Sequence, residues 1–169
     1  GIAGMKPVPG HGYEYVLLRY WQKEAEIDWE RFNLERALKD ILDETRTKNG
    51  VGGFKLMWAH VAFLKARLPG LERLEVELPN YFPRDTRFVH LFRRDSLKQA
   101  ISFAKAVQSD KWTAHEETKF RGEYTYDRAQ IARLHAKITE GNRGWEWMFE
   151  RSGTDVFALA YEDLISDEA

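Results

Sequence analysis

Short apolar strands alternating with amphipathic helices predict an α/β fold in which helices flank a parallel sheet. Two stretches carry that reading. Thr86-Arg87-Phe88-Val89-His90-Leu91-Phe92 is rich in aromatic and branched residues and stops abruptly at Arg93-Arg94-Asp95, as a central strand would. Farther on, a long helical pattern from about Tyr126 to Phe149 leads into a second apolar run, Asp155 to Ala160. With 169 residues, 43% of them hydrophobic and 14% aromatic, one core and one domain over 1–169 are expected.

Taken in order, Gly1-Ile2-Ala3-Gly4 with Pro7, Pro9, Gly10 and Gly12 reads as a loop, because these residues punctuate regular backbone. From Trp29 to Arg46, Phe32, Ala37, Leu38, Ile41 and Leu42 recur at helical spacing, and Asn49-Gly50 supplies a stop. Gly53-Phe54-Lys55-Leu56-Met57-Trp58 is short and dense in large apolar groups, which predicts a buried strand. A helix from His60 to Leu68 then ends at Pro69-Gly70. After the strand at 86–92, Leu97, Ala100, Ile101, Ala104 and Val107 mark a helix from Ser96 to about Ser109. Within the long helix, Ile131, Leu134, Ile138, Trp145 and Trp147 are apolar, the two tryptophans are read as core, and Gly141-Asn142 marks a break. Tyr161-Glu162-Asp163-Leu164 meets the end of the last strand.

Charge and composition exclude several classes. Lys plus Arg number 26 and Asp plus Glu 27, so there is no basic footprint for nucleic acid. Without cysteine there are no disulfides, thiolate metal sites or cysteine nucleophiles. The histidines at 11, 60, 90, 115 and 135 lack close metal-ligand spacing, and no metal is expected. Apolar runs such as Val156 to Ala160 are too short to span a bilayer and no charged-then-apolar signal opens the chain, so a cytoplasmic protein is expected.

In α/β folds ligands gather where strands end and helix N-termini offer backbone N–H groups to anions. Arg93 and Arg94 stand at such a junction, and a hydroxyl two helical turns on, at Ser102, can close over the same anion. The residues alone admit a second reading, in which Asp95 caps the helix, the arginines form surface ion pairs and Ser102 fills space.

Family likeness favours the first. The segment from Arg94 to Ser102 resembles the one by which sulfotransferases hold the 3'-phosphate of 3'-phosphoadenosine 5'-phosphosulfate (PAPS). Asn49 to Trp58, Ala106-Val107-Gln108-Ser109 with Trp112, Tyr126 before Ile131, and Gly144-Trp145-Glu146-Trp147-Met148-Phe149 are similar, in the same order, to blocks of the bacterial trehalose sulfotransferase family. Tyr161-Glu162-Asp163-Leu164 resembles the tetrapeptide that closes a core strand in many sulfotransferases.

The resemblance implies a P-loop NTPase-like sulfotransferase fold and an enzyme that moves a sulfuryl group from PAPS to a hydroxyl of a carbohydrate or glycolipid-type acceptor, as a homodimer. Sulfuryl transfer needs aligned reactants, positive groups around the moving charge and a base for the incoming hydroxyl. By resemblance the base is Glu14, within Gly1-Ile2-Ala3-Gly4, Pro7 or Pro9, Glu14-Tyr15, although extra residues separate Gly4 from Glu14 and Val16 replaces a second aromatic. Lys55 interrupts an apolar strand, where an unpaired buried ammonium is costly, and by resemblance it stabilises the sulfuryl group. His60 is an alternative base or a satisfied polar residue. Trp58 and Trp112, near strand ends or loops, join Tyr15 as acceptor-contacting residues. The Pro-Arg-Ser-Gly-Ser-Thr-like loop that cradles the 5'-phosphosulfate has no counterpart here, and Gly50-Val51-Gly52-Gly53 precedes a strand instead of following one. The domain is therefore expected to be truncated, part of a longer protein or else a remnant lacking half its donor site. A non-catalytic anion- or nucleotide-binding module on a degenerate sulfotransferase fold is the alternative; a nucleotide kinase is disfavoured by the lack of a Gly-x-x-x-x-Gly-Lys-Ser/Thr loop.

Overall fold

The computed structural model describes residues 27–112 and 120–166. The chain divides into two compact units, residues 1–86 with 147–154 and residues 87–146 with 155–169.

In the first unit, helix α1 (Leu34–Glu44) buries Leu34, Ala37, Leu38 and Ile41, the i, i+3, i+4, i+7 stripe of an amphipathic helix. It begins later than Trp29 because the Asn33 side chain accepts the Arg36 N–H at 2.8 Å and caps the first turn. Trp29 instead packs its ring against Phe32 and Phe63, with centroids 5.2 and 5.8 Å away. Thr45 ends the helix, and its hydroxyl donates to the Leu42 carbonyl and accepts the Gly53 N–H, both at 3.1 Å. Gly52 lies so close to the Leu42 carbonyl that an added Cβ would collide with it.

The strand expected over 53–58 does not form. Gly52, Phe54 and Leu56 are half-buried in alternation with exposed neighbours, but Phe54 and Leu56 pack on Ile41 of α1 instead of joining a sheet. Phe54 also stacks on Phe82, with centroids 5.9 Å apart. Lys55 falls on the outward phase and is exposed, so the buried ammonium anticipated from the apolar run is absent.

Helix α2 (Trp58–Lys65) buries His60, Val61 and Leu64 and ends three residues before the expected Leu68; Gly70 follows with a φ of 78°. A short helix α3 (Leu74–Glu77) and a 3-10 turn (Leu78–Tyr81) complete the unit, burying Leu68, Leu74 and Leu78.

In the second unit, β1 (Phe88–Phe92) and β2 (Val156–Ala160) pair in parallel, from Phe88 opposite Val156 to Phe92 opposite Ala160. Parallel pairing demands a long crossover, which the chain supplies with α4 (Ser96–Ser109) and α5 (Arg128–Ser152). This is an α/β arrangement, and among the described residues its sheet has these two strands. Val89, Leu91 and Phe157 are 58%, 54% and 64% exposed, so β1 lacks the two-sided burial expected of a central strand.

Helix α4 has the bounds its periodicity predicts, capped by Asp95 and ended by Asp110 in the left-handed region at φ 51°. Helix α5 starts at Arg128 because Asp127 accepts the Gln130 N–H at 2.9 Å, and it runs unbroken through Gly141-Asn142. A glycine there costs about 1 kcal/mol relative to alanine but removes no hydrogen bond, which the remaining turns of a 25-residue helix absorb. Its residues from Trp147 on belong to the first unit, and there Met148 and Phe149 are buried while Trp147, expected in the core, is 40% exposed; Trp145 is half-buried. The last helix, α6 (Tyr161–Ser166), follows β2 directly.

Truncating Leu38, 1% exposed, should destabilise the first unit by about 2–5 kcal/mol, whereas Lys39→Ala on the outer face of α1 should change stability by less than about 0.5 kcal/mol. Urea unfolding of Leu38→Ala and Lys39→Ala followed by tryptophan fluorescence measures both.

Candidate functional site

The register of β1 on β2 brings the residues after Phe92 beside those after Ala160. Arg93 lays its guanidinium over the Tyr161 ring, 3.8 Å from the centroid, a cation–π contact that holds it half-buried. Arg94 points at Asp163, and its two terminal nitrogens donate to the two carboxylate oxygens at 2.6 and 2.7 Å. Glu162 accepts the backbone N–H groups of Arg94 and Asp95 at 3.1 and 3.3 Å. Asp95 accepts the Lys98 N–H at 2.9 Å, and the Lys98 ammonium lies 3.4 Å from its other oxygen.

These contacts revise the expectation of free amides at the start of α4. Two carboxylates, Asp95 and Glu162, already occupy that helix terminus, so positive charge for an anion must come from side chains here. The capping and ion-pairing of the second reading are thus both present. They leave Arg94 partly available: a guanidinium has five N–H donors, and Asp163 takes two. The pair is solvent-exposed, at 57% and 55% for its side chains, so it can exchange partners readily. Hydrogen bonding from Arg94 holds the Asp163 carboxyl below its ordinary pKa, and the Arg94 backbone N–H chiefly does the same for Glu162.

Ser102 opens on a different feature. It is exposed on α4 and lines a cleft of about 220 Å³ with Lys105, Ala106, Ser109, Lys111, Trp112 and Tyr124. Ser102, Lys105 and Ser109 share one helix face, and Trp112 is fixed edge-on to Phe103 at 5.6 Å with its indole N–H on Asp110 at 3.2 Å. Tyr124 is carried on a segment that Gln108 holds at both ends of its side-chain amide: Nε2 donates to the Thr125 carbonyl at 2.9 Å and Oε1 accepts the Thr125 N–H at 2.8 Å. The Lys105 ammonium lies 5.4 Å from the Tyr124 centroid. At the first turn of α4 the Ser96 hydroxyl meets His135 Nε2 of α5 at 2.9 Å, tying the two crossover helices together.

The structure therefore brings Arg93 and Arg94 together at the strand end, and Ser102 and Trp112 together in the cleft. Glu14 and Tyr15 lie outside the described residues. Lys55 and Trp58 belong to the first unit, where Lys55 is exposed and half-buried Trp58 opens α2. His60 is buried with Nδ1 accepting the Met57 N–H at 3.1 Å, so it closes the N-terminus of α2 as a neutral ring. Burial, and secondarily the charge of Lys55, lowers its pKa from 6.5. A second cavity, about 280 Å³ in the first unit, has Glu30 and Glu35 and no lysine or arginine among the described residues that line it. Glu162, Asp163, Lys105, Lys111 and Tyr124 received no role from the sequence; the spacing of Ser102, Lys105 and Ser109 is the signal that could have exposed the cleft.

Because Glu162 has a folded-state pKa below its ordinary 4.5, its clamp stabilises above that value and is lost as pH falls through the lowered one. Glu162→Gln should therefore lower the midpoint of thermal unfolding at pH 7, by a difference that shrinks as pH falls below 4.5, a comparison that circular dichroism melts of the two proteins across that range provide.

Comparison with known proteins adds identity to this geometry. Trehalose 2-sulfotransferase of Mycobacterium tuberculosis (strain ATCC 35801 / TMC 107 / Erdman) is 33% identical over 124 residues, which is 70% of this chain and 46% of that protein. Trehalose 2-sulfotransferase of Mycolicibacterium smegmatis (strain ATCC 700084 / mc(2)155) is 27% identical over 124 residues, with the same shares. The chain spans about half the length of these curated relatives. The model of the Stf0 sulphotransferase family matches residues 4–169, and with nearly the whole sequence so aligned, the chain belongs to that family.

Proposed function

We propose that this chain forms the nucleotide 3'-phosphate side of a sulfotransferase that moves a sulfuryl group from PAPS to a hydroxyl of a carbohydrate or glycolipid-type acceptor. The observation that carries the reading is the strand-to-helix junction with Arg93, Arg94 and, eight residues after Arg94, Ser102, in a member of a sulphotransferase family. Trehalose, named as acceptor in both relatives, is the first acceptor to test. The parallel β1–α4–α5–β2 unit is compatible with a P-loop NTPase-like sulfotransferase fold, which belongs to the same proposal.

The donor, when bound, supplies the activated sulfuryl group; the chain's residues supply charge, orientation and a base. Arg94 keeps three N–H donors beyond its pair with Asp163, enough for a bidentate phosphate contact, and the Ser102 hydroxyl adds a neutral donor. Glu14 takes the acceptor proton and Lys55, whose side chain is exposed, offers positive charge to the transferring group. Trp112 and Tyr15 present aromatic faces to the acceptor, and Trp58 does so from the start of α2. Pairing as a homodimer and residence in the cytoplasm complete the proposal.

In the complete protein, Arg94→Ala should lower affinity for 3'-phosphoadenosine 5'-phosphate by tenfold or more in calorimetric titration, and unchanged affinity would refute the grip. Glu14→Gln should cut sulfuryl transfer to trehalose by about 10²–10⁴ while nucleotide affinity holds; full activity in that variant would remove Glu14 from the mechanism.

A further inference from the structure

One cavity of the first unit takes no part in the proposed transfer. It holds about 280 Å³ beside the first turn of α1, and no residue proposed to handle donor or acceptor is among the described residues that line it. Its floor is aliphatic: Leu34 and Leu68 are each 5% exposed, and Leu71 is half-buried. Its walls are rings. Trp29 lies 5.2 Å from Phe32 between centroids and meets Phe63 edge-on at 5.8 Å, so the indole is held in place by its neighbours. Tyr81 adds a third lining ring from the 3-10 turn.

The polar groups among these rings are of both kinds. Ionised Glu30 and Glu35 only accept hydrogen bonds. Asn33 accepts the Arg36 N–H on its Oδ1 at 2.8 Å, which leaves its amide NH2 as a donor. The N–H groups of Leu34 and Glu35 belong to the first turn of α1, where no helix carbonyl receives them. The Tyr81 hydroxyl both donates and accepts; burial, and then the charge of Glu77, raises its pKa from 10, so it keeps its proton at neutral pH. Among the described residues, the two carboxylates, the Asn33 NH2 and the Tyr81 hydroxyl have no hydrogen-bond or ion-pair partner.

This mixture selects the ligand. An anion would meet two carboxylates, and a cation would face the positive end of a helix. A wholly apolar body would strip water from carboxylate, amide and phenol without replacing the lost hydrogen bonds. A neutral ring bearing several hydroxyl groups suits every part: its hydroxyls donate to the carboxylates and accept from amide, phenol and backbone N–H, while its C–H face lies on the aromatic walls. At about 280 Å³ the cavity is just below the roughly 300–1,000 Å³ usual for drug-sized ligands, which fits one such ring with the rest of a larger saccharide outside.

We infer that this cavity is a carbohydrate-binding site, in which one sugar ring lies against Trp29 and Phe32 while Glu30, Asn33 and Tyr81 exchange hydrogen bonds with its hydroxyl groups. The assignment stands on the cavity's own groups and rests on the sulfotransferase reading only for the choice of trehalose as a probe. Two sources supply such a ring: the acceptor of the transfer reaction, and a saccharide that is not the acceptor.

The test uses the complete protein, with trehalose, maltose, inorganic phosphate and tetramethylammonium chloride titrated by calorimetry into wild type, Asn33→Asp/Tyr81→Phe, Glu30→Gln and Lys39→Gln on the outer face of α1. Asn33→Asp keeps the helix cap and removes the amide donors, and Tyr81→Phe keeps the ring and removes the hydroxyl. Glu30 is exposed, so Glu30→Gln decides the matter if the double variant unfolds early. At least one disaccharide should bind wild type, bind the double variant tenfold or more weakly and Glu30→Gln several-fold more weakly, and bind Lys39→Gln as wild type. A tenfold rise in the KM for trehalose in the double variant identifies the ring as the acceptor's; a KM that holds while disaccharide binding falls identifies it as another saccharide's. The assignment is overturned if neither disaccharide binds wild type, if binding is equal in all four proteins, or if phosphate or tetramethylammonium binds more tightly than both disaccharides through the same residues. Nucleotide affinity that fails in Arg94→Ala while disaccharide binding ignores Glu30, Asn33 and Tyr81 sinks this site and leaves the sulfotransferase reading standing; disaccharide binding that needs them in a protein without nucleotide affinity does the reverse.

Discussion

The in-register parallel pairing of β1 with β2 is the constraint on which the second unit depends. Opposing Phe92 to Ala160 leaves Arg93, Arg94 and Asp95 beside Tyr161, Glu162 and Asp163, two segments 68 residues apart in the chain. A slip of one residue would turn every side chain to the other face and separate Glu162 from the two amides it accepts. Since α4 begins at Ser96, directly after those amides, the same junction fixes where the helix carrying Ser102, Lys105 and Ser109 leaves the strand. Strand register and cleft composition are in this way one specification.

Legibility followed the range of the interaction concerned. Helix α4 was readable because everything that defines it is local: a carboxylate cap, an apolar period and a left-handed stop lie within residues 95–110. The stretch before α2 has the alternation of a strand without being one, because alternation reports one buried face and is silent on what buries it. Here Ile41 of a helix does so. Helix α3 and the turn after it are four residues each, too short to show a period, and Pro79 interrupts what pattern remains. The continuity of α5 through Gly141 reflects length, since many intact turns on both sides outweigh one weak helix former.

The site divides along the same line. Arg94 and Ser102 were visible through their spacing, but the contacts that determine what they can do were not. That Arg94 faces Asp163, and that helix-terminal amides are already taken by Glu162, depends on the pairing of distant strands. A strand-to-helix junction with arginines therefore signals an anion site only when its carboxylates have been accounted for. The cleft along α4 shows the opposite case: its lysines were unremarkable in sequence, and only the fold sets them beside Ser102, Trp112 and Tyr124.

Gln108 gives the second unit a further property. By accepting and donating on Thr125 it copies, with one side-chain amide, the hydrogen-bond pattern of a neighbouring strand, and so closes the excursion between positions 108 and 125 at its base. Loop-closure cost grows only slowly with length, so residues within a closed excursion can be exchanged or inserted at little expense to the helix beneath. Lys111, Trp112 and Tyr124 all belong to that excursion, while Ser102 and Lys105 lie on α4. One wall of the cleft is thus part of a helix, and the other is carried by a segment whose two ends a single side-chain amide holds together.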